Sequence, residues 1–306
     1  MTGSHIYDLI VLKIKEYIPF LGMGFMLLLV QLIAVALSQK PLEKAFSNPD
    51  DPFNVIVWVA IILIFTGFIF LVIKLNKKWM IQAIVLISVV WTLYYVFEAV
   101  FVSILSEQEK IVLSLGISIS LGLVLYKFPE WYVIDIVGVI LGAGAAAIFG
   151  ISLAILPTLL LLVVLAIYDY IAVYRTKHMV ALAEGVMDLR LPILLVIPKH
   201  WKYSFLKEKF DKEEREAFFM GLGDAVMPTL LVVSANYFVE AGSYTLPLLG
   251  AMKIPVISAI LGTFLGFSVL MGFVIKGKPQ AGLPFLNGGV ILGYLAGSMI
   301  AGSALT

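Results

Sequence analysis

Apolar residues run along this chain in long blocks, and polar residues gather in the short gaps between them. A helix needs about 20 mostly apolar residues to cross the hydrocarbon core of a bilayer. Nine blocks approach or exceed that length: 17–38, 52–75, 79–105, 111–127, 132–150, 152–174, 218–239, 253–275 and 283–303. The pattern predicts an all-α membrane protein with about nine transmembrane helices. The fifth and sixth blocks nearly merge, and Gly150 and Pro157 mark the turn expected between them. Lys13 and Lys15 precede the first block, whose length predicts a spanning helix rather than the short apolar core of a cleavable signal.

Only one gap is long. Residues 175–217 are expected to form a loop inside a single polytopic domain spanning 1–306. The loop opens with a helix-like stretch, His178 to Leu189. Then comes Pro192 to Pro198, an apolar run bounded by prolines and too short to span. It reads as a strand or extended segment, either packed on the bundle or offering an edge to an extended peptide. Residues 199–216 carry mixed charge and read as a solvated, flexible loop.

Basic residues orient the bundle, because loops rich in Lys and Arg stay on the cytoplasmic side. The N-terminus and every second connection hold 17 of the Lys and Arg residues, against four on the other side. Without the long loop the ratio is still eight to four. The N-terminus and the 175–217 loop are expected in the cytoplasm and the C-terminus outside. In a prokaryote the membrane would be the cell membrane.

Composition then excludes whole classes. Of 306 residues, 61% are hydrophobic and 13% charged, against about 25% charged in a typical soluble domain. A net charge of +1 gives no reason to expect nucleic acid. With no cysteine, thiol catalysis and thiolate metal sites are impossible. Three scattered histidines, His5, His178 and His200, predict no metal centre, and no cofactor is expected. Small residues at spacing four in the last two blocks (Ser258, Gly262, Gly266; Gly289, Gly293, Gly297) predict close helix packing.

Four acids fall inside apolar blocks: Glu98, Asp135, Asp169 and Asp224. A charged side chain at the bilayer centre costs roughly 2.5–3.5 kcal/mol on insertion scales, so such residues are usually functional. Asp135, about one turn into its helix, is expected to be structural. Glu98 is expected to bond a neighbouring helix or serve a proton path. Asp169 and Asp224 share a depth, about 9–12 Å from the cytoplasmic ends of successive helices at 1.5 Å per residue. If those helices are neighbours, the two carboxyls share a proton and can do acid and base work together. Gly221 and Gly223 flank Leu222 and would let another backbone approach Asp224. Tyr168 offers a hydroxyl beside Asp169.

Tyr168-Asp169 and Gly221-Leu222-Gly223-Asp224 resemble the YD and GxGD motifs of the presenilin and signal peptide peptidase family. Pro192 to Pro198 is similar to the proline-bounded segment before helix seven in signal peptide peptidases. The compact chain resembles an archaeal member. A third family motif, Pro-Ala-Leu, has its counterpart at Ala281-Gly282-Leu283-Pro284, where Leu283 and Pro284 match and Ala281 and Gly282 depart. The resemblance implies a presenilin-like bundle and intramembrane aspartyl proteolysis. Asp169 and Asp224 would be catalytic. Tyr168, Gly221, Leu222, Gly223, Ala281, Gly282, Leu283 and Pro284 would bind substrate. The partners implied are transmembrane protein substrates and the lipid bilayer; oligomeric state is left open. Prepilin peptidases also use a GxGD aspartate, but Ala225 to Pro228 lacks their Lys-bearing continuation.

Two other classes use similar features. A proton- or cation-coupled transporter also carries intramembrane acids, although no inverted repeat is evident here and the acids lie off the midplane where transporter sites sit. A non-catalytic chaperone for membrane helices would bind substrates without cutting them.

Overall fold

The computed structural model describes residues 3–75, 78–176, 194–200, 202–207, 216–247, 249–275 and 280–303. Every predicted apolar block contains a helix: α1 (Gly3–Ser38), α2 (Phe53–Lys74), α3 (Lys78–Phe101), α4 (Glu107–Lys127), α5 (Trp131–Gly150), α6 (Ile155–Ile171), α7 (Leu222–Phe238), α8 (Ile254–Val274) and α9 (Gly282–Ala301). Among the described residues, seven are long and apolar enough to cross a membrane, while α2 and α7 supply shorter apolar stretches. The chain is an integral multi-pass membrane protein. Leucines such as Leu261, Leu265 and Leu292 stay exposed on its outer faces, where lipid replaces water.

Two small antiparallel sheets interrupt the helices. β1 (Leu194–Pro198) pairs with β2 (Ala217–Gly221), with Leu195 opposite Met220 and Ile197 opposite Phe218. The proline-bounded segment is therefore extended from Leu194 onward, as its composition predicts; Pro192 and the stretch His178 to Leu189 lie outside the described residues. β2 corrects the seventh block. Residues expected to begin a helix at 218 form a strand up to Gly221, and α7 starts at Leu222. A strand at membrane depth must find backbone partners, and Phe218 and Phe219 suit a pleated surface better than Gly221 suits a helix. β3 (Ser243–Leu246) and β4 (Gly250–Lys253) form a hairpin between α7 and α8.

The solvated loop expected after Pro198 is partly pinned. Tyr203 and Phe205 are buried in a cluster with Leu93, Leu125 and Ile134. Glu130, at the start of α5, accepts hydrogen bonds from the Ser204 hydroxyl (2.7 Å) and the Phe205 amide (3.0 Å). Aromatic side chains among the charges supply the apolar surface that holds this segment down.

α1 packs on α5, α7 and α8, and α9 packs on α8, α6 and α7. At the α8–α9 contact the small-residue stripe works as expected. A methyl group on Gly262 would run into the Gly289 carbonyl and lie 2.8 Å from Gly293 Cα. Backbone lies on backbone there, which gives van der Waals contact where no hydrophobic effect separates protein from lipid. Glu98 of α3 reaches Lys110 of α4 at 3.4 Å, which answers its expected bond to a neighbouring helix. Gln31 of α1 and Gln39, just beyond its end, find partners far along the chain. The Gln31 amide donates to Thr263 Oγ1 at 3.1 Å, and Gln39 bonds the Leu249 carbonyl and the Ala251 amide in the β3–β4 hairpin.

Candidate active site

α6 and α7 stand side by side, with α9 against both. Asp169 sits two residues before the end of α6 and is buried, 5% exposed. Beyond it the chain continues in a single wide turn, Ala172–Thr176. Asp224 is the third residue of α7, not the seventh of a longer helix, because the preceding strand occupies 217–221. It lies in the first turn, where the helix dipole favours a carboxylate. Four residues on, Pro228 has no amide to give the Asp224 carbonyl, so the regular helix bond is missing at this residue.

The turn that opens α9 brings the two acids together. The Leu283 amide donates to Asp169 Oδ2 at 3.0 Å, and the Gly282 backbone adds a second hydrogen bond to the same carboxyl. Gly282 also faces Asp224: a Cβ at this position would lie 3.1 Å from Asp224 Oδ2. The two carboxyls are near enough to interact electrostatically. Ala281 is buried and caps α9 in extended conformation, and Leu283 packs against the core around α5 and α6. Pro284 follows at the third position of α9, where its missing amide costs no helix bond.

The other sequence-selected residues divide. Gly221 and Gly223 flank Leu222 at the strand-to-helix joint; Gly221 faces the Asp224 carboxyl, and nothing lies within 4 Å of where a Gly223 side chain would begin. Leu222 is buried in the core beside Ala225. Tyr168 stands on an exposed part of α6, away from the buried face that holds Asp169. A cavity of about 150 Å³ opens beside Asp224, bounded by Gly221, Met220, Phe218, Gln280 and Gly282. Asp224 is half-buried and borders it, whereas Asp169 does not.

Three contacts near the site could not be read from sequence, although Asp135 itself stands out there as an acid in an apolar block. Asp135 accepts the Val196 amide at 2.7 Å and so grips β1. Asn287 donates to the Leu162 carbonyl at 2.9 Å, tying α9 to α6 two turns from Asp169. The Tyr174 hydroxyl donates to Gln280 at 2.5 Å across the same pair of segments. Each partner lies more than 60 residues away, beyond any periodicity.

Comparison with known proteins fits this arrangement. The family described as signal-peptide peptidase, presenilin aspartyl protease matches residues 23–303. Two crystal forms of a presenilin family intramembrane aspartate protease, C222 and P2, are both 37% identical to the chain. The first has a TM-score of 0.72 and covers 93% of this chain and all of that one. The second has a TM-score of 0.70 and covers 94% and all, respectively. No curated protein sequence matches. These likenesses decide between the functional classes that intramembrane acids leave open, in favour of proteolysis over transport. The chain belongs to the signal-peptide peptidase, presenilin aspartyl protease family and is an intramembrane aspartyl protease acting on membrane-protein substrates.

Proposed function

We propose that Asp169 and Asp224 are the catalytic pair of a GxGD-type intramembrane protease. The observation that carries this assignment is the Gly282–Leu283 turn, which touches both carboxyls at once. One carboxylate takes a proton from a water molecule, and the resulting hydroxide adds to the peptide carbonyl carbon. The other carboxyl gives its proton to the carbonyl oxygen. As this tetrahedral species collapses, the first carboxyl passes the proton it took from water to the nitrogen, the C–N bond breaks, a diol hydroxyl returns its proton to the second carboxylate, and a new carboxyl and amine remain.

A helical substrate must unwind first, because its carbonyls are tied up in backbone bonds. Once extended in lipid, it needs new backbone partners. The sequence pointed to Pro192–Pro198 as that edge. β1 instead has β2 on one side and, at Val196, Asp135 on the other. The antiparallel alternation that turns Val196 toward Asp135 turns Ala217 and Gly221 of β2 away from β1. Gly221 borders the cavity beside Asp224. The substrate strand pairs along this side of β2, with Gly221, Gly223 and Gly282 leaving room for its backbone. Leu222, Ala281, Leu283 and Pro284 shape the turn and joint behind it, and exposed Tyr168 contributes least.

The excess of Lys and Arg places the N-terminus and the 175–217 loop in the cytoplasm, the C-terminus outside and water entry on the cytoplasmic side of one polytopic domain. Replacing Asp169 or Asp224 by Asn tests the pair. Cleavage of a purified single-span reporter peptide in phosphatidylcholine vesicles is expected to fall by about 10³-fold or more in each variant, in the range of lost acid–base catalysis. Undiminished cleavage by either variant overturns the assignment.

A further inference from the structure

Asp135 is 1% exposed and lies one turn into a membrane helix, yet it has no cationic partner among the described residues. Its Oδ1 accepts the Val196 amide of β1, and its Oδ2 has no hydrogen-bond partner among the described residues. The same side of α5 continues this grip toward the catalytic helix. A Cβ on Gly138 would stand 3.3 Å from Leu195 Cδ2 in β1. One on Gly142 would stand 2.9 Å from Leu222 Cδ1 and 3.4 Å from Val226 Cγ2. Positions 135, 138 and 142 lie on one helix face. That face therefore touches, in order, the β1 backbone, a β1 side chain and the α7 residue two before Asp224. β1 in turn fixes β2 through five paired residues that end at Gly221.

We propose that Asp135 is a positioning residue that sets the height of the β1–β2 sheet against Asp224 and so selects which peptide bond is cut. The proposal rests on the catalytic pair and the β2 docking edge described above. α5 is the rigid rule, its glycines admit the strand and the catalytic helix closely, and Asp135 is the polar stop that prevents β1 from sliding along it. A strand that slips must move by two residues to keep its side chains on the same faces. Loosening the stop therefore adds cuts two bonds from the native one.

The test reads product masses and kinetics from the same reporter peptide in phosphatidylcholine vesicles, beside thermal melting in detergent. Asp135→Leu keeps the bulk and removes the acceptor. It is expected to melt like the parent, lose about tenfold in kcat/KM and yield products from additional bonds spaced by two. Asp135→Asn keeps an acceptor oxygen and is expected to restore the single cut. An unchanged product pattern in Asp135→Leu overturns the proposal, as does an Asp135→Asn variant that melts normally and cuts as loosely as the Leu variant. Should Asp135→Leu fail to fold, Asp135→Glu decides: its acceptor is pushed out by one methylene, a displaced cut supports the role and the native cut overturns it. Asp224→Asn run in parallel separates the two claims, since products from that variant refute the catalytic pair whatever Asp135 does.

Discussion

Glycines serve two regions of this molecule in opposite ways. Along α8 and α9, the space a side chain would need is filled by the neighbouring backbone: Gly262 meets Gly289 and Gly293, and Gly266 meets Phe285. Around Asp224 the space beside the glycine is left for something else. Gly221 and Gly282 have the Asp224 carboxyl as their nearest neighbour, and Gly223 faces nothing within 4 Å. The residue type is identical, and so is its advantage of small size. What differs is whether the gap is occupied in the resting molecule or left open, as the substrate strand proposed above requires. The first region gains packing from its glycines, while the second gains access.

The contrast is broken most strongly by Gly262→Val. Overpacking commonly costs about 1–3 kcal/mol, and here the obstacle is backbone that cannot swing aside, so a loss of about 3 kcal/mol or more is expected. Melting temperature and cleavage should fall together. Gly282→Val should separate them: the branched side chain crowds Asp224 from 3.1 Å, and cleavage drops by about 100-fold while melting stays within a few degrees. Gly282→Ala is the milder case, since the family motif carries alanine there. A shift of a few tenths of an ångström in the Asp224 carboxyl is expected, with at most a few-fold loss. Gly223→Ala meets nothing in the resting structure and sits in a helix, where alanine is favoured by about 0.5–1 kcal/mol over glycine. It should melt slightly higher and cut several-fold more slowly, because the substrate backbone loses its approach. Gly288→Ala, also facing open space but farther along α9 from the acids, should likewise melt slightly higher and cut at the parent rate. If Gly223→Ala behaved like Gly288→Ala, the reserved-space half of the comparison would fail.

The chain's sequence made its helices legible because lipid demands unbroken apolar length, a constraint visible in any window of 20 residues. It made the acids legible because charge in such a window is rare. The start of α7 was not legible: Phe218, Phe219 and Met220 are as apolar in a strand as in a helix, and only pairing with Leu195 and Ile197 decides between them. Tyr168 stands out in sequence through the YD motif; neighbouring helix positions point about 100° apart, and the structure leaves it on an exposed face. Asp135 was legible as an anomaly but not as a grip on β1, since its partner is a backbone amide 61 residues away and every amide looks alike in sequence. The turn at 281–284 matched its family motif at only two positions. Its value lies in backbone atoms, the Leu283 amide above all, which alanine or glycine at the neighbouring positions leaves intact.

Gln31 in α1 and Gln39 just after it bear on how the protein is made. Gln31 and Gln39 leave the ribosome 232 and 210 residues ahead of the groups their amides bond in Thr263 and Leu249. During synthesis the earliest helix thus waits in the bilayer with Gln31 uncapped until α8, the last helix but one, arrives. A nascent chain stopped before α8 would present that amide as a mark of incompleteness to whatever inspects unfinished membrane proteins.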